Sequence, residues 1–328
     1  MGYWPRFQRK VLDKYAESMH NARMSHAQRV QILGDVCFVR AYAKINLTLD
    51  VTGRRTDGYH ELVTVMQAVD LHDTLCLTAT RDGRVRVDCT RSELNNEENL
   101  AAQAARLLRE RFALSQGVLI ELRKSIPVAA GLGGGSSDAA AALLALRQWW
   151  RLPLSLSELQ AMAATLGSDV PFFLTGGLAL CEGRGERVTP LAAQWPSSMR
   201  WLLLLKPAIS ISTASVFRRL PASDYTDGSH SRALVGALQE GRLPRLEDFH
   251  NGLERSVLEL YPEVARAKAD LLQAGAPLVR LSGSGPTLYA PFPDLSSATR
   301  AREQLRTPGY ELYLARAVSS TGGDIDVL

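Results

Sequence analysis

Pro127-Val128-Ala129-Ala130-Gly131-Leu132-Gly133-Gly134-Gly135-Ser136-Ser137-Asp138 decides how the chain is read, and it runs directly into the apolar stretch Ala139–Leu146. A strand pattern over 117–122 precedes it, and a helix is expected from about Ser136 to Trp150. Glycines let a backbone approach an anion closely. The helix that follows directs its unpaired N–H groups and about half a positive charge back at the loop. Ser136 and Ser137 add hydroxyl donors at the first turn. Together these features build a polyphosphate site. The plainer alternative, a glycine-rich turn that only permits close helix packing, fits less well with a loop lying between a strand and a helix.

Several known phosphate and nucleophile motifs are excluded. No G-x-x-x-x-G-K-[ST] run exists, and Gly131-Leu132-Gly133-Gly134-Gly135-Ser136 lacks the last glycine of G-x-G-x-x-G. Protein-kinase motifs are missing: there is no His-Arg-Asp, and Asp248-Phe249 is followed by His250. Leu281-Ser282-Gly283-Ser284-Gly285 is not the G-x-S-x-G elbow of serine hydrolases.

Upstream, Ala43-Lys44-Ile45-Asn46-Leu47-Thr48-Leu49-Asp50-Val51 alternates strictly, which predicts a half-buried strand with Lys44, Asn46, Thr48 and Asp50 on its polar face. Further strands are expected at 63–69, 74–79 and 84–88, and a helix over 100–111 capped by Asn99. Downstream, a shorter helix beginning at Ser157-Glu158 ends near Leu166, and Gly167 terminates it. In Gly167-Ser168-Asp169-Val170-Pro171 the aspartate suits either an Asx turn or a general base, the latter worth typically ~10²–10⁴ in rate. Lys44 could hold such an aspartate ionised and offset charge on a transferring phosphoryl group, although spacing alone does not bring the two together. A hairpin is expected from Phe172–Cys181 and 186–190. After Trp195-Pro196 the pattern restarts with a strand at 201–206 and helices near 213–220, 231–240 and 252–274. Strands at 278–282, 287–292 and 311–317 and a helix near 295–306 complete it. Sheets with segregated helices in both halves suggest an α+β pair of domains, 37–195 and 196–328, preceded by a poorly ordered extension over 1–36.

The 328 residues suffice for more than one core, and 46% hydrophobic with 22% charged residues is an ordinary globular composition. The net charge of +4 is spread along the chain, without the basic and aromatic clusters that mark nucleic-acid binding. Apolar stretches fall far short of the ~20 residues of a membrane span. The four cysteines form no C-x-x-C pair, so reduced thiols in a cytoplasmic protein are the expectation.

Three segments, Ala43–Leu47, Pro127–Asp138 and Leu281-Ser282-Gly283-Ser284-Gly285-Pro286-Thr287, resemble in order and spacing the GHMP family of small-molecule kinases. The likeness covers roughly residues 38 to 318. It implies an N-terminal α/β domain and a ferredoxin-like C-terminal domain with the active site in the cleft between them. It implies Lys44 and Asp169 as the catalytic pair, Pro127 through Ser137 as the ATP loop, and ATP with Mg²⁺ as phosphoryl donor. No metal ligand is assigned, and Asp138, whose charge would suit magnesium, is left without a role. Gly53-Arg54-Arg55-Thr56-Asp57-Gly58-Tyr59-His60-Glu61-Leu62 resembles the branch acting on a cytidine diphosphate-linked polyol. The Gly-Glu-His signature of mevalonate and galactose relatives is absent, and homoserine kinases open on a different motif. That resemblance implies Asn46, Tyr59 and His60 at the cytidine end, with Phe217 stacked on cytosine opposite Tyr59. An aromatic sandwich with an imidazole and an amide can grip a pyrimidine and read its edge, though core packing would also employ Tyr59 and Phe217. The implied reaction is in-line transfer to the 2-hydroxyl of the polyol. The expected partner is thus a small molecule rather than nucleic acid or membrane, with oligomeric state open. A kinase of another alcohol and a nucleotide-binding module without turnover are the rival readings.

Overall fold

The computed structural model describes residues 30–193, 195–321 and 324–327. Its spine is an antiparallel pair, β2 (Val36–Arg54) and β3 (His60–Thr80), of 19 and 21 residues, registered from Val36↔Thr78 to Arg54↔His60. β1 (Val30–Leu33) borders β2 on its free edge. The other edge of β3 is shared: Thr74–Thr80 pairs with β5 (Gly117–Arg123), and Leu62–Gln67 pairs with β6 (Leu178–Gly183). β4 (Val85–Cys89) runs parallel to β5, and β7 (Arg187–Pro190) antiparallel to β6. Between β5 and β6 a short stretch of β3 lacks a strand neighbour, and the chain entering the glycine loop is anchored there. Asp73 accepts hydrogen bonds from Ser125 N (2.6 Å) and Ile126 N (2.8 Å).

Four helices belong to this sheet: α1 (Leu100–Arg111), α2 (Gly134–Trp149), α3 (Leu156–Leu166) and α4 (Val170–Thr175). Asn99 caps α1 by accepting from Ala101 N, and Ser155 with Glu158 forms a capping box on α3. Ala139, Ala140, Ala141 and Ala142 are all fully buried, so α2 is covered on every side. Small side chains allow that close approach.

The second sheet contains β8 (Trp201–Lys206), β9 (Arg280–Leu281), β10 (Leu288–Phe292) and β11 (Glu311–Ala315) in the order β11-β8-β10-β9, antiparallel throughout. Helices α5 (Thr213–Arg219), α6 (Ser229–Gln239), α7 (Glu254–Leu260) and α8 (Pro262–Gln273) separate β8 from β9, and α9 (Leu295–Gln304) separates β10 from β11. Spatial order fourth-first-third-second is the ferredoxin-like arrangement implied by the sequence. β12 (Val318–Thr321) and β13 (Asp324–Val327) pair with each other. The chain crosses back here: Ala317 bridges Val69, and Val318 is buried in the first core. A third apolar cluster joins the sheets, with Ile45, Leu47 and Val65 meeting Leu202, Leu204 and Tyr289. At about 1.5–3 kcal/mol per buried side chain, this seam fixes the two halves against each other.

The structure corrects several expectations. Val30–Leu33 pairs with Val36–Val39 through a turn at Gly34, so the extension expected to reach residue 36 ends by residue 30; residues 1–29 lie outside the described residues. An edge strand buried on neither face leaves little alternation to read. The strands expected at 63–69 and 74–79 are one, because a register shift opposite Tyr42 and Ala43 interrupts the pattern without ending the pairing. β2 is buried on both faces rather than one. The strand expected from Phe172 is helix α4, followed by β6. Pro171 takes its place in the first turn, where a missing N–H costs nothing. The helix expected over 252–274 is interrupted at Tyr261, which is held extended by Pro262.

Candidate active site

A cleft of about 1110 Å³ opens between the halves, lined by Lys44, Asn46, Tyr59, His60, the glycine loop, Asp169 and Phe217. Ordinary small-molecule pockets reach about 1,000 Å³, so this one has room for two reactants together.

Lys44 projects from β2 and is 3% exposed. Its Nζ donates to Asn46 Oδ1 (2.5 Å) and Gly131 O (2.8 Å), and lies 3.8 Å from Asp169 Oδ2. Burial pushes the Lys44 pKa down, and the charge of Asp169 opposes that shift. Asp169 occupies the cap position of α4, yet its side chain makes no capping hydrogen bond. Its carboxylate is instead a third exposed, facing the cleft beside the ammonium. The Asx-turn alternative thus loses its basis.

The loop is held from both sides. Lys44 N donates to Leu132 O (3.0 Å), and Ser282 Oγ donates to Gly131 O (3.0 Å). Two glycines are required by their surroundings. Gly131 has φ +76°, and a Cβ on it would fall 2.3 Å from Ser282 O; Gly133 has φ +72°, and a Cβ there would fall 2.6 Å from the Phe173 ring. α2 starts at Gly134, two residues before the expected Ser136, so the N–H groups of its first turn open on the cleft. Ser136 lines the cleft, but Ser137 is fully buried and donates to Tyr42 O (2.6 Å). Leu132 is buried as well. These two members of the expected ATP loop support it from behind; the second hydroxyl donor expected at the first turn is committed to β2.

Beside the loop, Lys124 sits between Asp73 and Asp138, all three buried. Burial raises the Asp138 carboxyl well above the usual carboxylate range, with Lys124 acting against that, and its Oδ1 has no hydrogen-bond partner. Lys124 thus engages its Oδ2, while Asp138 also borders the cleft.

At the far end, the His60 and Phe217 rings lie 5.1 Å apart at 32°, and Tyr225 meets His60 edge-on at 5.9 Å. Burial, then the charge of Arg54, lowers the His60 pKa. Tyr59 is 53% exposed and carries the Arg184 guanidinium 5.0 Å over its ring. Asn46 Nδ2 donates to Thr64 Oγ1 (2.9 Å), which fixes the amide while its oxygen receives Lys44. All the residues expected at the cytidine end border the cleft, but Asn46 does so beside Lys44 at the catalytic end, because its neighbour two residues back on the same strand face takes its oxygen. It is His60, however, and not Tyr59, whose ring faces Phe217.

Tyr225, Arg184, Thr64 and the role of Ser282 were not legible in the sequence. The first three reach the cleft through long-range packing, and Ser282, fully buried, braces the loop from behind. The only hint was the Ser-Gly-Ser-Gly segment itself, whose turn Asn251 Nδ2 secures through Leu281 O and Gly283 O.

A glycine loop at a helix start, a lysine–aspartate pair and a ferredoxin-like second half define a small-molecule kinase. The chain belongs to the GHMP kinases. Residues 99–177 match the family model described as GHMP kinases N terminal domain, and residues 234–311 that described as GHMP kinases C terminal. Among curated relatives, a 4-diphosphocytidyl-2-C-methyl-D-erythritol kinase of Shouchella clausii is 41% identical over 285 residues, 87% of this chain and 95% of the relative. One of the same name from Exiguobacterium sibiricum is 42% identical, covering 85% and 96%. A crystal structure of 4-(cytidine 5'-diphospho)-2C-methyl-D-erythritol kinase superposes with a TM-score of 0.72 at 36% identity, covering 85% of this chain and 99% of the other. A homoserine kinase from Cytophaga hutchinsonii has a TM-score of 0.71 at 20% identity, covering 90% and 99%, a likeness of fold alone. Among the described residues no helix is long and apolar enough to cross a membrane.

Proposed function

We propose that this kinase transfers the γ-phosphoryl group of ATP to the 2-hydroxyl of 4-diphosphocytidyl-2-C-methyl-D-erythritol, giving the 2-phosphate and ADP for isoprenoid precursor synthesis by the non-mevalonate route. The observation carrying this reading is the cleft itself: Lys44 and Asp169 stand beside the glycine loop at one end, and the His60–Phe217–Tyr225 cluster stands at the other.

Asp169 accepts the proton of the attacking hydroxyl as the oxygen–phosphorus bond forms and the bond to the β-phosphate oxygen breaks. Lys44, 3.8 Å from Asp169, offsets charge on the transferring group. The amides at the start of α2 and the Ser136 hydroxyl hold the polyphosphate, while Gly131 and Gly133 allow its approach. His60 reads the base edge, Phe217 and Tyr59 supply aromatic surface, and Asn46, its amide held by Lys44 and Thr64, braces the catalytic end. Magnesium fits the donors present. It takes one or two carboxylates with substrate phosphates and keeps several waters, and the cleft offers the open Asp169 carboxylate and the Ser136 hydroxyl. Held there, it would supply charge neutralisation to the donor's phosphates. The protein is expected to work in the cytoplasm on a small molecule, with no nucleic-acid partner.

The direct test is ADP release with the cytidine-linked polyol, ATP and magnesium, set against homoserine and mevalonate. Turnover confined to the cytidine-linked acceptor supports the reading, and preference for another alcohol overturns it.

A further inference from the structure

Outside the cleft lining, three side chains with metal-ligand chemistry converge where β2 meets the C-terminal half. They are Asp50 on β2, His230 in the first turn of α6 and His250 shortly before α7, each offering a ligand atom within 4.8 Å of the others. Asp50 is fully buried. Its Oδ2 accepts from Ser231 N (2.9 Å) and Ser231 Oγ (2.5 Å), and its Oδ1 from Thr226 Oγ1 (2.7 Å). Those three donors are neutral, and Oδ1 keeps a lone pair in reserve. The two imidazoles stack at 4.2 Å with 19° between their planes, and His250 Nε2 is buried without a hydrogen-bond partner. Burial first, and His230 next, lower the His250 pKa. The charged neighbours of His250 are otherwise Arg280, which donates to Phe249 O, and Glu254, which pairs with Lys268.

A buried carboxylate served by neutral donors and an orphaned imidazole nitrogen are both costly, and one cation relieves both. We propose that Asp50, His230 and His250 form a binding site for a divalent transition-metal ion of the zinc type, with water in the fourth position. Two imidazoles and a carboxylate suit zinc better than magnesium or calcium. Ligation at about 2.0–2.1 Å draws the ligand atoms together by up to about 1.5 Å and slides the rings out of their stack. The elements to be joined already touch: Leu49 N donates to His250 O (2.7 Å), Gly252 N to Leu49 O (2.8 Å) and Thr226 N to Val51 O (2.9 Å). The ion therefore staples β2 to the segment carrying Tyr225, one wall of the aromatic pocket. The site is structural and does not depend on which alcohol the enzyme phosphorylates.

The test uses the full chain, stripped of metal with a chelator and free of nucleotide. Zinc is titrated by calorimetry, and cobalt by visible absorption. Expected are one zinc per chain at micromolar concentration, a higher Tm with zinc, and a cobalt d–d band without the charge-transfer band of a thiolate. His250→Ala and His230→Ala, each confirmed folded by circular dichroism, are expected to weaken zinc binding by about tenfold or more. His230→Ala serves as the milder variant, since His230 is partly exposed in a first helical turn. No zinc binding by wild type overturns the proposal, as does binding of equal strength in both histidine variants or a thiolate band in the cobalt spectrum. Protonation-linked changes without metal binding would make the cluster a proton site and overturn it equally.

Discussion

Lys44 holds an ammonium where burial opposes it, because Gly131 O, Asn46 Oδ1 and Asp169 surround it. Asp169→Asn keeps the shape and removes the base, so turnover is expected to fall by ~10² or more. ATP affinity, measured by calorimetry, should stay within a few-fold; near-normal turnover would remove Asp169 from the chemistry. Lys44→Ala is expected to lower turnover as well, and a loss confined to thermal stability would make Lys44 structural. His60 gives a pH signature. Its pKa is lowered from 6.5 by burial, so at neutral pH the ring is uncharged and can donate with one nitrogen and accept with the other. CDP affinity should be flat at neutral and alkaline pH and weaken as the pH falls below 6.5 through the depressed pKa, a dependence lost in His60→Ala. At this scale the sequence disclosed residues whose type is uncommon for their place: a lysine on an alternating strand, an aspartate before a proline, a histidine beside a glycine turn. It concealed the direction of Ser137 and the presence of Tyr225, since both depend on contacts between distant segments.

Helix α1 behind Asn99 was legible in the sequence to the residue, α3 begins at Leu156 behind the Ser155 capping box and not at Ser157, and α2 and α4 were not legible. Glycines are poor helix formers, so the start of α2 was placed at Ser136, although Gly134 and Gly135 already turn within it. Val170–Thr175 is buried along nearly its whole length, and an apolar run without periodicity does not distinguish a short helix from a strand. The glycines of the loop make a paired test. Gly133→Ala places a Cβ against Phe173 at a left-handed position, costing about 1–2 kcal/mol for the backbone alone. A lower Tm and weaker ATP binding are expected. Gly135→Ala meets nothing closer than Leu100 Cδ1 at 3.6 Å and should fold with nearly normal stability. Equal ATP affinity in wild type and Gly133→Ala would sink the phosphate-loop assignment.

The whole molecule is arranged so that one half presents the loop and catalytic pair while Phe217 and Tyr225 come from the other. Lys44 and Phe217 are far apart in sequence, and the seam of Ile45, Leu47, Leu204 and Tyr289 holds their relation fixed. The fold class was readable from segment order, but the crossing of Ala317 and Val318 back to β3 was not, because it rests on contacts between distant segments: the Val69–Ala317 bridge, the paired hydrogen bonds of Asp70 with Arg316 and the Val318 carbonyl accepting from Gln67. In such a cleft, binding energy from the base can position a remote hydroxyl beside Asp169. Free methylerythritol lacks the cytidine diphosphate handle and should therefore be a very poor substrate even at high concentration. CMP or CDP should compete with the full acceptor and much less with ATP. Phe217→Ala should weaken acceptor binding by roughly 1–3 kcal/mol, the range for an aromatic ring stacked on a base, with ATP affinity unchanged. Steady-state kinetics with both acceptors measures this directly. Equal efficiency with the free polyol would refute the cytidine assignment while leaving the phosphoryl transfer itself intact. The cleft would then be reading some other part of its alcohol.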